Sequence, residues 1–196
     1  MAYLLCNIAI IFHSLLDNHS NKQIEILQIN LHHSKGASAN LCAGLKKMQT
    51  AVALIQEPWV YRERVRGLSF TGGSCVYNAQ REKPRAAIVV TKQVRYNIVC
   101  ALPDSVAIQI ELNTDNYKGK VVLASVYLPY NAVELPPGRG LTRIVEHCQM
   151  HKTPLLVGCD SNSHHTAWGS SDINPRGRAL LEYLIVQNIY IYDKRQ

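Results

Sequence analysis

Apolar residues recur along this chain in two rhythms, and the polar residues that interrupt them collect where strands should end. Ile24 to Asn30, IEILQIN, alternates with period two: Ile24, Ile26 and Gln28 take one face, Glu25, Leu27 and Ile29 the other, and the run finishes on an amide. Ser38 to Thr50 changes rhythm, with Leu41, Leu45 and Met48 on one face and Lys46 and Lys47 elsewhere, so an amphipathic helix is predicted. Ala51 to Ile55 is wholly apolar and reads as a buried strand, stopped by Gln56, Glu57 and Pro58. Ala86–Val90, Val94–Cys100, Val106–Leu112 and Val121–Tyr127 are β-rich runs that read as an antiparallel meander, with a turn at Asp115, Asn116 and Gly119. Arg139–His151 is a second helix. Leu155, Leu156 and Val157 form a central buried strand that runs out through Gly158 and Cys159 into Asp160, Ser161, Asn162, Ser163, His164 and His165. Asn174 caps a third helix, with Pro175 at its first position and Leu180, Leu181 and Leu184 on its apolar face, and Ile189–Tyr192 is a last strand.

Strands alternating with helices around a meander predict one α/β domain, and in such folds the carboxyl ends of strands present ligand-binding groups. Three units here end in Asn30, Glu57 and Asp160. An aspartate, an asparagine or a serine after a strand is also an ordinary turn former, and a strand-end glutamate can be held by a salt bridge. A carboxylate at the tip of an apolar strand is nevertheless costly unless solvated, paired or metal-bound. Asp160 and Asn162 lie two apart, so extended backbone through Ser161 would point both to one side. Tyr127 brings a phenol to the end of its own strand, with core packing as the alternative.

Charge narrows the partners. The 21 Lys and Arg against 14 Asp and Glu give +7, with a pI near 9.2, which suits a polyanion. Between Tyr61 and Arg85 the chain reads as a basic loop: Arg62, Arg64, Arg66, Arg81, Lys83 and Arg85 are interleaved with Tyr77 and follow Trp59, a composition that suits stacking and phosphate contact or a solvated loop. Lys35 adds a cation after Asn30. The six cysteines are scattered without zinc-ligand spacing and read as reduced. The first 16 residues are apolar, yet they lack a basic n-region and a cleavage site and are short for a membrane span, so residues 1–20 read as an extension outside the fold.

Asn30 in LQIN, Glu57 in QEPW, Tyr127 in SVYLPY, and Asp160 and Asn162 in GCDSN, all in this order, resemble the endonuclease/exonuclease/phosphatase superfamily. The segment HHTAWGSSDINPRG, through Trp168 and Gly177, is similar to the region after the catalytic aspartate in apurinic-type endonuclease domains of non-LTR retrotransposons. The resemblance implies two β-sheets packed face to face with flanking helices, a deoxyribonuclease-I-like four-layer sandwich over residues 21–196. It implies metal-dependent phosphodiester hydrolysis that nicks DNA for target-primed reverse transcription, with a reverse transcriptase domain in the parent polyprotein, no membrane, and a nuclear or cytoplasmic location. Glu57 would hold Mg²⁺, or Mn²⁺ in its place, with Asn30 beside it. Asp160 would position or deprotonate water, Asn162 and Tyr127 would bond the phosphoryl group, and Lys35, Arg62, Arg64, His164 and His165 would contact nucleic acid. The family pattern continues into a further Asp and a Ser-Asp-His for which nothing after Asp193 supplies a counterpart, so the sandwich is expected to be incomplete at its C-terminus and activity impaired. A catalytically inert nucleic-acid-binding remnant is the alternative, and an enzyme acting on a nucleotide or inositol phosphate a third reading.

Overall fold

The computed structural model describes residues 2–6, 10–12, 24–80, 83–113 and 117–192. Two sheets dominate it. The first has six strands in the order β13-β1-β12-β11-β10-β9, the second five in the order β2-β3-β4-β8-β7, and β5 (Val60–Tyr61) with β6 (Arg64–Val65) makes a small hairpin. In chain order the first sheet takes β1 (Ala2–Cys6), β9 (Tyr96–Leu102), β10 (Ser105–Asn113), β11 (Lys118–Tyr127), β12 (Leu155–Asp160) and β13 (Ile189–Tyr192). The second takes β2 (Ile10–Phe12), β3 (Glu25–Asn30), β4 (Ala51–Gln56), β7 (Gly73–Val76) and β8 (Ala86–Thr91). The helices are α1 (Lys35–Leu45), α2 (Gly138–Met150) and α3 (Pro175–Val186).

Period-two alternation sorts the side chains into layers. On β11, Val122, Ala124 and Val126 face α2 and α3 together with Leu155, Val157 and Cys159 of β12, while Leu123 and Leu156 turn into the seam between the sheets. On the facing sheet, Ile26, Val52, Leu54, Ile88 and Val90 fill that seam, and Ala51, Ala53 and Ile55 pack on Leu45 of α1. Helices, sheet, sheet and helix with its adjoining loop thus enclose three apolar clusters. At about 25 cal/mol per Å² of buried apolar surface, such clusters supply the main force holding the sheets together. Gln28, Asn30, Ser125, Tyr127, Gly158 and Asp160 continue the seam-facing positions of their strands, so the polar ends of both sheets meet over one seam.

Several expectations are corrected. Ala86–Thr91 leaves the predicted meander: β9, β10 and β11 pair antiparallel in one sheet, but β8 pairs with β4 in the other, Val52 opposite Val90. The stretch from Tyr61 to Arg85 holds β5, β6 and β7 where a loop was expected. The first helix runs Lys35–Leu45, earlier than predicted, because the Ser34 hydroxyl accepts the Ala37 N–H as its N-cap. Residues 2–6 do not lie outside the fold as the extension reading had it: they pair in parallel with β12, Ala2 opposite Leu155, and with β13, and Ile10–Phe12 pairs with β3. Residues 2–6 thus stand as a strand between two parallel neighbours. The turn placed at Asp115 and Asn116 lies outside the described residues, and Gly119 belongs to β11.

Candidate active site at the sheet seam

Parallel pairing fixes the carboxyl ends of neighbouring strands at one level. Asn30 stands opposite Gln56 on β3 and β4, and Tyr127 opposite Asp160 on β11 and β12. Across the seam the Asn30 amide donates to Asp160 Oδ2 at 2.5 Å, joining the two sheets at the site itself. The other Asp160 oxygen accepts the Asn162 backbone N–H at 3.2 Å. The strand therefore ends at Asp160 and closes a turn, with Asn162 in left-handed backbone at φ 45°, instead of continuing extended through Ser161. The Asn162 amide in turn donates to Leu128 O at 3.2 Å.

Tyr127 joins these groups. Its phenol lies within hydrogen-bond reach of Glu57 and of Asn162, and burial first, then the negative charges of Glu57 and Asp160, hold it above the ordinary tyrosine range. At neutral pH it is a hydrogen-bond donor. Glu57 follows β4 in left-handed backbone at φ 47°, its N–H bonded to Arg85 O and its carbonyl accepting the His33 N–H, both at 2.8 Å. Its carboxylate faces His32 Nδ1 and His33 Nε2, each at 3.5 Å. His32 and His33 also carry positive φ, so four residues at this site hold a conformation that L side chains disfavour. Backbone of this kind clusters where geometry is set for function.

Glu57 and Asn30 are the residues that could hold a metal. The donors are a carboxylate and an amide oxygen, and among the described residues no cluster of three His, Cys, Asp or Glu forms a closed cage. Few oxygen donors with room for water fit a hard divalent cation that keeps much of its hydration shell.

Arg176 lies inside the segment HHTAWGSSDINPRG, but nothing in the sequence pattern gives it a role of its own; it is 9% exposed and lies directly behind the site loop. Its guanidinium donates to Asn162 O at 3.1 Å and to Leu128 O and Ser161 O at 3.4 Å. Desolvation lowers its pKa, the cost of burying a cation on carbonyl partners. Arg85, one of the basic run, is committed to Asp104 in a bidentate pair at 2.5 and 2.6 Å and lies over the Tyr127 ring. Lys35 stands over the Trp59 ring and Arg62 over Tyr61, each at 5.4 Å, and with Arg64 they make an exposed basic and aromatic edge next to Glu57 in the chain. His164 is paired with Asp172 at 2.8 Å, and the His165 ring accepts the Ala167 N–H. A cavity of about 440 Å³ lined by Val145, Cys148, Leu155 and Ile189 lies at the other end of β12 from Asp160.

Residues 121–196, which carry Tyr127, Asp160, Asn162 and Arg176, match the family described as endonuclease-reverse transcriptase. Among solved structures the chain is similar to the endonuclease domain of TRAS1, a telomere-specific non-LTR retrotransposon, at 25% identity and a TM-score of 0.62, over 84% of this chain and 71% of that one. Comparison with the curated proteins gives no match. The resemblance read from the sequence, and the four-layer fold it implied, are thus borne out.

Proposed function

We propose that this chain is the endonuclease domain of a non-LTR retrotransposon and nicks DNA by hydrolysing a phosphodiester bond. The observation that carries this reading is the convergence of Asn30 and Glu57 from one sheet with Tyr127, Asp160 and Asn162 from the other, closed by the 2.5 Å contact between Asn30 and Asp160. Asp160, oriented by two donors, accepts a proton from water as the water oxygen attacks phosphorus. The bond from phosphorus to the 3′-oxygen breaks and that oxygen takes up a proton, leaving the 3′-hydroxyl that reverse transcription extends. Tyr127 and Asn162 donate to the phosphoryl oxygens as charge builds on them, and Arg176 keeps the Asn162 loop in place. Glu57 and Asn30 would hold Mg²⁺, or Mn²⁺, which when bound neutralises phosphate charge. Lys35, Arg62 and Arg64 supply sequence-independent contact to the DNA backbone. The partners implied are DNA, met in the nucleus or the cytoplasm, and a reverse transcriptase domain; no helix among the described residues is long and apolar enough to cross a membrane.

Supercoiled-plasmid nicking tests this. Open circles are expected with Mg²⁺, with loss on chelation and a fall of about 10²-fold or more in Asp160→Ala. Nicking indifferent to Asp160→Ala would overturn the assignment. A version carrying a Ser-Asp-His segment after residue 196 shows what that group adds: nicking by the extended version alone supports the impaired reading of these 196 residues. DNA bound at the basic edge without nicking by either version supports the inert, binding-only alternative.

A further inference from the structure

Beneath the site a row of buried polar groups crosses from one sheet to the other. Gln28 Nε2 donates to Gln56 Oε1 at 2.9 Å, Gln56 Nε2 donates to Ser125 Oγ and to Gly158 O at 3.0 Å each, and Ser125 Oγ donates to Ile55 O at 2.7 Å. Gln28, Gln56 and Ser125 are all within 1% of full burial, in a seam filled mainly by Leu, Ile and Val. Amides buried among aliphatic side chains gain little over apolar residues of the same shape, and Gln28 Oε1 has no protein partner among the described residues. Stability alone is a poor account of this row.

Its position is a better one. Because strand side chains repeat every second residue, the next seam-facing positions above Gln28, Ser125 and Gly158 are Asn30, Tyr127 and Asp160, and Gln56 immediately precedes Glu57. Each member of the row sits one step below a member of the site. Gly158 fixes how near the sheets come: a Cβ there would lie 2.8 Å from Gln28 Cγ and 3.0 Å from Leu54 Cβ, so the Gln28 side chain and β4 occupy the space that any other residue would need.

We propose that Gln56 is a positioning residue, whose amide bonds Gln28 on its own sheet and Ser125 and Gly158 on the facing sheet and so sets the approach and register that bring Asn30 onto Asp160. Apolar attraction is non-directional, so it holds the sheets together without by itself selecting one register. Directional bonds to two groups of the opposite sheet resist a slide between registers. The proposal rests on the nuclease reading for its consequence, not for its geometry.

The test uses Gln56→Met, which keeps the length of the side chain and removes its bonds, beside Leu123→Ala, which opens the same seam two residues below Ser125. The first readout is the side-chain amide resonance of Asn30 in a ¹⁵N spectrum, assigned by its loss in Asn30→Asp and recorded below both unfolding transitions. Gln56→Met is expected to move it toward the position of an exposed amide, and Leu123→Ala to leave it in place while lowering stability. The second readout is plasmid nicking, where Gln56→Met should lower kcat by about 10²-fold with KM within about two-fold of the parent. Should Gln56→Met fail to fold, Gln28→Met removes the outer bond alone and should move the same resonance by less. An unmoved Asn30 resonance in the folded variant overturns the proposal, as does an equal shift in Leu123→Ala. If the parent chain nicks no DNA, the nuclease reading fails while the resonance still decides the role of Gln56.

Discussion

Gly177→Ala and Gly44→Ala make the same chemical change on two helices and should act in opposite directions. An added Cβ at Gly177 would lie 1.9 Å from the His164 carbonyl oxygen and 2.6 Å from its carbon, about 1.5 Å inside ordinary contact. Neither side yields readily. The His164 carbonyl accepts the Asn174 N–H at 3.1 Å, and Asn174 Oδ1 caps the helix on Gly177 N at 2.8 Å while also accepting His164 N–H at 3.2 Å. Overpacking of about 1–3 kcal/mol together with a weakened cap worth about 1 kcal/mol gives a loss of roughly 3 kcal/mol. For a chain of this length that is a fall in Tm of roughly 6–12 °C. At Gly44 nothing lies within 4 Å of the new Cβ, and alanine in a helix gains about 0.5–1 kcal/mol over glycine, a rise of about 2 °C. Thermal unfolding followed by circular dichroism measures both. Arg176 is the neighbour of Gly177, so the first variant should also lose nicking beyond its loss of folded protein. A Gly177→Ala chain as stable as the parent would refute the close approach of α3 to the site loop, and a destabilising Gly44→Ala would refute the contact argument as a whole.

Arg176→Met removes a donor shared by three backbone carbonyls, of which Leu128 O keeps the Asn162 amide and Ser161 O the Ser163 hydroxyl while Asn162 O is left without its side-chain partner; it should cost about 1–3 kcal/mol in urea unfolding, with Arg176→Lys recovering less than half because one ammonium cannot span the same oxygens. Tyr127 has its folded pKa raised above the unfolded value of 10.0, so the stability tied to its neutral phenol is complete below that value and is lost as pH rises through the folded pKa; Tyr127→Phe should flatten part of the alkaline decline in a pH series of unfolding midpoints. Burial pushes the Cys148 thiol up to about 11, so this cysteine should resist alkylation by iodoacetamide at pH 8 in native protein and react in urea, as peptide mass mapping will read.

How much of this molecule is legible in its sequence depends on whether the information is local. The strands ending in Asn30, Glu57, Tyr127 and Asp160 follow from alternation and from polar stops, and the faces assigned along IEILQIN are those observed, with Ile26 in the seam and Leu27 and Ile29 toward α1. Sheet membership is not local. Nothing in AAIVVT distinguishes a strand that continues a meander from one that crosses to pair with β4, because both environments bury it fully. The two-residue strands of the basic stretch are equally hidden, since Val-Tyr and Arg-Val are too short to set up an alternation, even though Val65 is buried against the second sheet. Arg176 escapes detection for a related reason: its partners are backbone carbonyls, which carry no residue type to read.

Gln28 and Gln56 show where local reading stops short even when the signal is visible. Both stand at seam-facing positions of apolar strands, a placement that invites an explanation, but an amide in a strand is as compatible with a solvated edge as with a buried partner. The distinction needs the opposite sheet, where Ser125 and Gly158 present an acceptor hydroxyl and a carbonyl at hydrogen-bonding distance from Gln56. Two sheets built from separate stretches of chain bring their polar ends together only if their approach is fixed to a fraction of an ångström, because the bond between Asn30 and Asp160 does not survive a slide of one residue. The chemistry can therefore be named strand by strand, whereas the distance between its two halves is a property of the packed seam.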